Sequence, residues 1–199
     1  MSGLSLYSVQ SILILDSQGN RIYAKYYQPP PNVLGHNQHA AFTSFRENEL
    51  FSSLKKQEDF EKRLIKKTHK QDSEVMLFEN KLVFYREYID LTIYLIGDPN
   101  ENEIILQTSF NALKNSLELI LNNGIDKKNV QENYDMVLLT IDEIVDNGII
   151  LETDSQTIAS RVSKPPTNDN QLPLDFDKGL LGAWGFAKSK LQERLQQGL

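Results

Sequence analysis

The 199-residue chain is 40% apolar and 24% charged, has a net charge of −6 and contains no cysteine. This balance fits a soluble domain of ordinary size plus an appendage. It excludes disulfides, thiolate metal sites and cysteine nucleophiles, and it argues against a protein built to grip nucleic acid, which is usually basic.

The first element is an apolar stretch over residues 4–15, followed by "DSQGN" and a second strand over 21–27. The five turn residues predict a hairpin, with Gly19 able to take a positive φ. "QPPPNVLGHNQHA" then breaks the pattern, because Pro29, Pro30 and Pro31 can continue neither a central strand nor a helix. Residues 44–68 are charged, with Leu50, Leu54, Phe60 and Leu64 at helical spacing, which predicts an amphipathic helix. "SEVMLFENKLVFYREYIDLTIYLIGD" is rich in β-branched and aromatic residues. With breaks at 79–81 and at Ile89-Asp90 it supplies three more strands, five in all.

A long helix is predicted after "DPNENE". Asp98 is placed as its N-cap, Pro99 at its first position and Glu101 in a capping-box role. Leu106, Phe110, Leu113, Leu117, Ile120 and Leu121 form its core stripe, and Gly124 its stop. A further helix is expected over 130–146, with Val130, Tyr134, Val137, Leu138, Ile141 and Val145 on one face and Gly148 at its end. A short helix follows from Thr153 or Asp154 to Arg161.

The composition then changes. The chain divides into a body over 1–163, a Pro- and Asn-rich linker over 164–177 and an amphipathic C-terminal helix over 178–199. In that last segment Leu180, Trp184, Ala187, Leu191 and Leu195 share one helical face. Of these, Leu180, Trp184, Leu191 and Leu195 are the candidate partner-binding residues. Strands grouped together with helices before and after them predict an α+β fold. The strands are apolar on both faces, so the first helix is expected on one side of the sheet and the later helices on the other.

Chemistry is sparse. His36 and His39 lie in a proline-flanked loop with no acidic or thiol ligand nearby, a poor metal site. His69, in "KKTHK", suits a helix C-terminus. There is no Gly-x-x-x-x-Gly-Lys-Ser/Thr, no Gly-x-Gly-x-x-Gly and no Gly-x-Ser-x-Gly. The acidic residues Asp142, Glu143 and Asp146 fall on the polar side of a helix, as a solvated face or a contact for a basic partner. No catalytic residue, metal ligand or cofactor-binding residue is assigned. Charge is uneven, however. Residues 55–70 hold seven Lys/Arg against three Asp/Glu, and residues 126–154 hold eight Asp/Glu against two Lys/Arg. The basic run gives a candidate patch at Lys62, Lys66 and Lys67 that could face an anionic membrane or an acidic partner. No apolar run reaches the ~18 residues that span a bilayer, and "MSGLSLYSVQ" lacks the basic start and cleavage site of a signal peptide. The expected location is therefore the cytosol.

"YREYIDLTIYLIGDPNENEIILQTSFNALKNSLELILNNG" and "NYDMVLLTIDEIVDNGIILETDSQTIASRV" resemble the zeta-subunit family of coatomer, the COPI vesicle coat. "LYSVQSILILDSQGNRIYAKYY" and "FEKRLIKKTHKQDSEVMLFENKLVFYREYIDL" resemble the same family, so the likeness runs over about 4–163. "IDEIVDNGIILETD" is also similar to the small (sigma) chains of clathrin adaptors. The tail segment "LGAWGFAKSKLQERL" falls outside this pattern. The resemblance implies a longin-like fold, a five-stranded antiparallel sheet between one helix and a helical pair. It implies pairing with the gamma subunit of coatomer and assembly with the remaining coat subunits. It also implies recruitment with an Arf-family GTPase to the cytosolic side of Golgi membranes and to COPI-coated vesicles, for retrograde and intra-Golgi transport. No motif here carries over the cargo-signal pocket of the adaptor sigma chains.

A second reading is a regulatory longin module of a GTPase-exchange or SNARE-related trafficking complex. A SNARE needs a heptad helix of ~50–60 residues after the body. About 36 residues follow Ser163, interrupted by Pro165, Pro166 and Pro173, so the SNARE form is disfavoured.

Overall fold

The structure is a computed structural model that describes residues 6–28, 51–69, 71 and 74–163. Five strands form one antiparallel sheet: β1 (Val9–Asp16), β2 (Arg21–Tyr26), β3 (Val75–Phe78), β4 (Lys81–Glu87) and β5 (Leu91–Gly97), in the order β2-β1-β5-β4-β3. The two central strands are the most apolar. Every residue of β5 is buried, as is all of β1 except Gln10. Alternate side chains point to opposite faces, so two separate cores form. The expected breaks hold. Gly19, at φ +82°, closes the β1–β2 hairpin, and Glu79 and Asn80 form the β3–β4 turn.

One face is covered by α1 (Leu54–Thr68). Phe60, Leu64 and Ile65 pack on Leu13, Leu15, Val83, Tyr85, Tyr94 and Ile96. The Tyr94 hydroxyl lies 2.7 Å from the Thr68 hydroxyl, tying the end of the helix to the central strand. Two expectations for this helix change. Ser53 is its N-cap, accepting from the Lys56 N–H at 3.4 Å, so the described helix begins at Leu54. Leu54 is 60% exposed rather than part of the core stripe. Phe51, just ahead of the helix, fills the core at that end, with ring centroids 4.6 Å from Tyr26 and 5.2 Å from Phe60. The proline-rich loop, His36, His39 and Leu50 lie outside the described residues.

The other face carries α2 (Glu103–Ile120), α3 (Lys127–Glu132), α4 (Tyr134–Ile144) and α5 (Ser155–Val162). The whole predicted α2 stripe, from Leu106 to Leu121, is buried. It packs in one core with Ile12, Ile14, Phe84, Ile93 and Leu95. The start of α2 differs from the sequence reading: Asn102, not Asp98, is the N-cap, accepting from the Ile104 N–H at 3.0 Å. The Asp98 carboxylate instead accepts from the Asn100 N–H at 2.8 Å, a local turn that competes with a helix start. The end differs too: α2 closes at Ile120, four residues before Gly124.

The single helix expected over 130–146 is two. Asp126 caps α3, and Asn133 breaks the chain before α4. Of the predicted face, Val130, Val137, Ile141 and Val145 are buried, but Tyr134 is 38% exposed and Leu138 is only half-buried. Val145 already belongs to a small hairpin, β6 (Val145–Asp146) with β7 (Ile149–Ile150), which the sequence reading missed. Gly148 therefore turns a hairpin rather than ending a helix. Its φ is +85°, and a Cβ there would sit 2.7 Å from the Val9 carbonyl oxygen. The Val9 N–H donates to the Gly148 carbonyl at 3.1 Å, so this glycine lets the small hairpin dock on the start of β1.

Leu113 and Leu117 are fully buried. Shortening either to Ala is expected to destabilise the fold by ~2–5 kcal/mol through lost contact and the cavity left behind. Chemical-denaturant titration of the two variants checks this, and an unchanged midpoint would place the stripe outside the core.

Candidate interaction surfaces

The polar groups of the described body are mostly spent on holding it together. Glu61 on α1 is 1% exposed and is satisfied from β2. The Arg21 Nε donates to one of its oxygens at 2.6 Å, and the Tyr26 hydroxyl to the other at 2.6 Å. Burial, reinforced by the Glu61 carboxylate, pushes the Tyr26 hydroxyl above its ordinary pKa. This network fixes the edge strand to the helix above it.

A second network sits at the hairpin tip. Asp16 is 4% exposed. Its carboxylate accepts from the Gln18 N–H at 2.9 Å, the Asn20 N–H at 2.8 Å, the Asn20 side chain at 3.0 Å and Lys127 Nζ at 2.9 Å. The Lys127 N–H in turn donates to Asp90 in the β4–β5 turn at 2.9 Å. One lysine at the start of α3 thus joins two turns of the sheet. Burial works against the charged form of Asp16, but the hydrogen bonds from Lys127, Asn20 and Gln18 outweigh it and hold its pKa at about 2.

No catalytic arrangement emerges among the described residues, and no group of three potential metal ligands occurs among them. His69 caps α1, and its Nδ1 lies 2.7 Å from a Glu87 oxygen. An open cleft of ≈ 590 Å³ is lined by Glu87, Tyr88, Ile89, Asn123, Gly124, Ile125 and Asp126. Its two carboxylates are engaged. Glu87 faces His69, and Asp126 accepts from the Asn129 N–H at 2.8 Å as the α3 cap. Neither stands beside a nucleophile. Among the described residues no helix is long and apolar enough to cross a membrane.

The structure places Lys62, Lys66 and Lys67 together on the exposed face of α1. Leu180, Trp184, Leu191 and Leu195 lie outside the described residues. The acidic segment behaves differently from the basic one. Asp126 and Asp154 cap helices. Asp142 pairs with Lys25 at 2.6 Å, Glu143 and Glu152 pair with Arg161 at 3.1 and 3.5 Å, and Glu132 pairs with Lys128 at 3.7 Å. Only Asp135 and Asp146 keep neither role. Apart from the i, i+4 pair of Lys128 with Glu132, these pairings join residues of different elements, and no sequence spacing announces them.

The family model for "Clathrin adaptor complex small chain" matches residues 8–168. The chain belongs to the clathrin adaptor small-chain family. Its curated relatives in that family are more specific. It is 66% identical to "Coatomer subunit zeta" of Saccharomyces cerevisiae over the full length of both chains. It is 40% identical to "Coatomer subunit zeta-1" of Homo sapiens over 80% of this chain and 78% of the relative. "Probable coatomer subunit zeta-A" of Dictyostelium discoideum is 40% identical over 94% of this chain and 95% of its own. A chain from the "Homology model of the full-length AP-3 complex in a stretched open conformation" has the same small-chain fold. It aligns with a TM-score of 0.55 at 15% identity, over 88% of this chain and 98% of that one. The resemblance read from the sequence is thereby borne out, and so is the α+β fold of five antiparallel strands between helices.

The depressed Asp16 pKa makes a pH prediction for this small chain. A carboxylate held at about 2, against 3.8 ordinarily, adds stability above about pH 4 and loses it as pH falls towards 2. Asp16→Asn should be less stable than the parent at pH 7, by about 1.5–3 kcal/mol for lost charge-assisted bonds. The gap should narrow steadily between pH 4 and pH 2. Melting temperatures of both proteins across that range test this, and a constant gap would show that Asp16 is not the titrating group.

Proposed function

We infer that the chain is a non-catalytic structural subunit of the COPI vesicle coat, acting in retrograde Golgi-to-ER and intra-Golgi transport. In this reading it pairs with the gamma subunit of coatomer and through it joins the remaining coat subunits. It meets the Arf-family GTPase by way of the gamma subunit and works as a peripheral component on the cytosolic side of Golgi membranes and on coated vesicles. The observation that carries the reading is the 66% identity to the yeast coatomer zeta subunit along the entire chain, residues 164–199 included. The described body supports it from another side: Glu61 and Asp16 lock helices to the sheet, and most carboxylates of 126–154 are occupied as caps and ion pairs.

The C-terminal segment has a separate role in this reading. Its stripe of Leu180, Trp184, Leu191 and Leu195 suits a helix that lays its apolar face into a groove of a second protein partner. A short helix of this kind, interrupted by Gly182 and Gly185, is marginal in water and gains order on a surface. Trp184 is the natural anchor, since a buried indole is a common hot spot.

Affinity purification of the full chain from cytosol, with mass spectrometry, tests both points. The expected result is the set of coat subunits in stoichiometric yield, whereas GTPase-exchange partners in their place would overturn the coat reading. Trp184→Ala and Leu191→Ala should keep the gamma subunit and lose a second protein. Loss of liposome binding with no protein lost would assign the tail to a membrane instead. The purified chain should also lack nucleotide hydrolysis, and an activity abolished by a point substitution in this chain would refute the non-catalytic role.

A further inference from the structure

We propose that the outward face of α1 is an electrostatic docking surface for an anionic lipid bilayer, and that it orients the body with α1 towards the membrane. Lys55, Lys56, Lys62, Lys66 and Lys67 are all exposed on this helix. Among the described residues none of them forms an ion pair, in contrast to Arg63, which makes a bidentate pair with Glu79 at 2.6 and 2.9 Å. Lys62 and Lys66 are four residues apart, as are Arg63 and Lys67, and like charges at that spacing repel. Asp59 is exposed among them and Glu58 is half-buried, so the five lysines still outnumber the acidic side chains of this face. The helix therefore keeps a cost that a negative surface would relieve.

Two features favour a bilayer over an acidic protein. Among the described residues the face is the outer side of a helix and carries no exposed aromatic ring to grip a peptide. Its free cations are all lysines. A lysine is a flexible point charge suited to a diffuse negative surface, whereas bidentate recognition of a carboxylate or phosphate group uses arginine. The one arginine of the helix is already committed to Glu79.

The sheet adds direction. α1 packs on one face, and α2 to α5 pack on the other. The acidic residues of 126–154 thus lie across the sheet from the lysines, largely neutralised by Lys25, Lys128 and Arg161. The charge asymmetry left over is concentrated on α1. With a net charge of −6 on the whole chain, this face can meet an anionic surface only if the molecule is turned the right way round.

The test uses the full chain and vesicle flotation. Vesicles of phosphatidylcholine with about 30% phosphatidylserine are compared with phosphatidylcholine alone, at low and at raised salt. Each lysine near an anionic leaflet is worth about a fivefold change in partitioning. The triple reversal K62E/K66E/K67E should therefore lower retention on the anionic vesicles by at least about 100-fold, to the level of the neutral ones. Lys128→Glu, on the opposite side of the sheet, should leave it unchanged. Parent binding should weaken as salt screens the charges. If the triple reversal melts well below the parent, K62Q/K66Q/K67Q takes its place, with a smaller loss expected. Equal retention of parent and variant overturns the proposal. So does a parent that ignores anionic vesicles but binds polyglutamate through the same lysines, which would assign the face to an acidic protein. Co-purification of the gamma subunit with the triple variant is read separately, so failure of the membrane contact and failure of the coat reading remain distinguishable.

Discussion

A strand buried along its whole length cannot exist without a layer over each of its faces, and β5 is such a strand. Most of the architecture answers that demand. β1 lies beside β5 in antiparallel register, with Leu13 opposite Tyr94 and Ile14 opposite Ile93. Side chains of one parity meet α1, and those of the other meet α2. Remove either helix and half of the central ladder faces water. The hairpin at the start of the chain carries no reactive group because its task is to begin this sheet.

Polar residues act mainly as fasteners between those layers. Glu61 ties α1 to the edge strand, while Asp16, Lys127 and Asp90 tie two turns to the start of α3. Buried carboxylates of this kind are stable only because each finds several donors. The same residue types that could serve acid–base chemistry in an enzyme are here held in place by partners. That agrees with membership of a small-chain family whose relatives are named as subunits of larger assemblies.

Charge at the surface divides along the same plane. Sequence counts give a basic segment and an acidic one of comparable strength. In the folded body the acidic segment is mostly consumed by helix caps and by Lys25, Lys128 and Arg161, whereas five lysines of α1 find no acidic partner among the described residues. The unequal outcome follows from packing: β2 and α5 bring cations to the acidic side, whereas among the described residues Glu79 and Glu87 reach the basic helix only at Arg63 and His69.

The sequence by itself determined the five strands of the sheet and the helices on either side of them, though it read α3 and α4 as one, because alternation at period two and stripes at period 3.6 are local signals. It placed the stripe from Leu106 to Leu121 in the core, and it carried the family likeness. It misplaced the start of α2, where the Asp98 side chain closes its own turn, and the end of α1's core stripe, where Phe51 displaces Leu54. It missed the β6–β7 hairpin, whose two-residue strands are too short to show a period. Only the tertiary structure decided what Gly148 is for, since its close approach to Val9 joins residues 139 positions apart. It also decided which charges remain free, since ion pairs such as Lys25 with Asp142 depend on distances that exist only after the sheet and helices have packed.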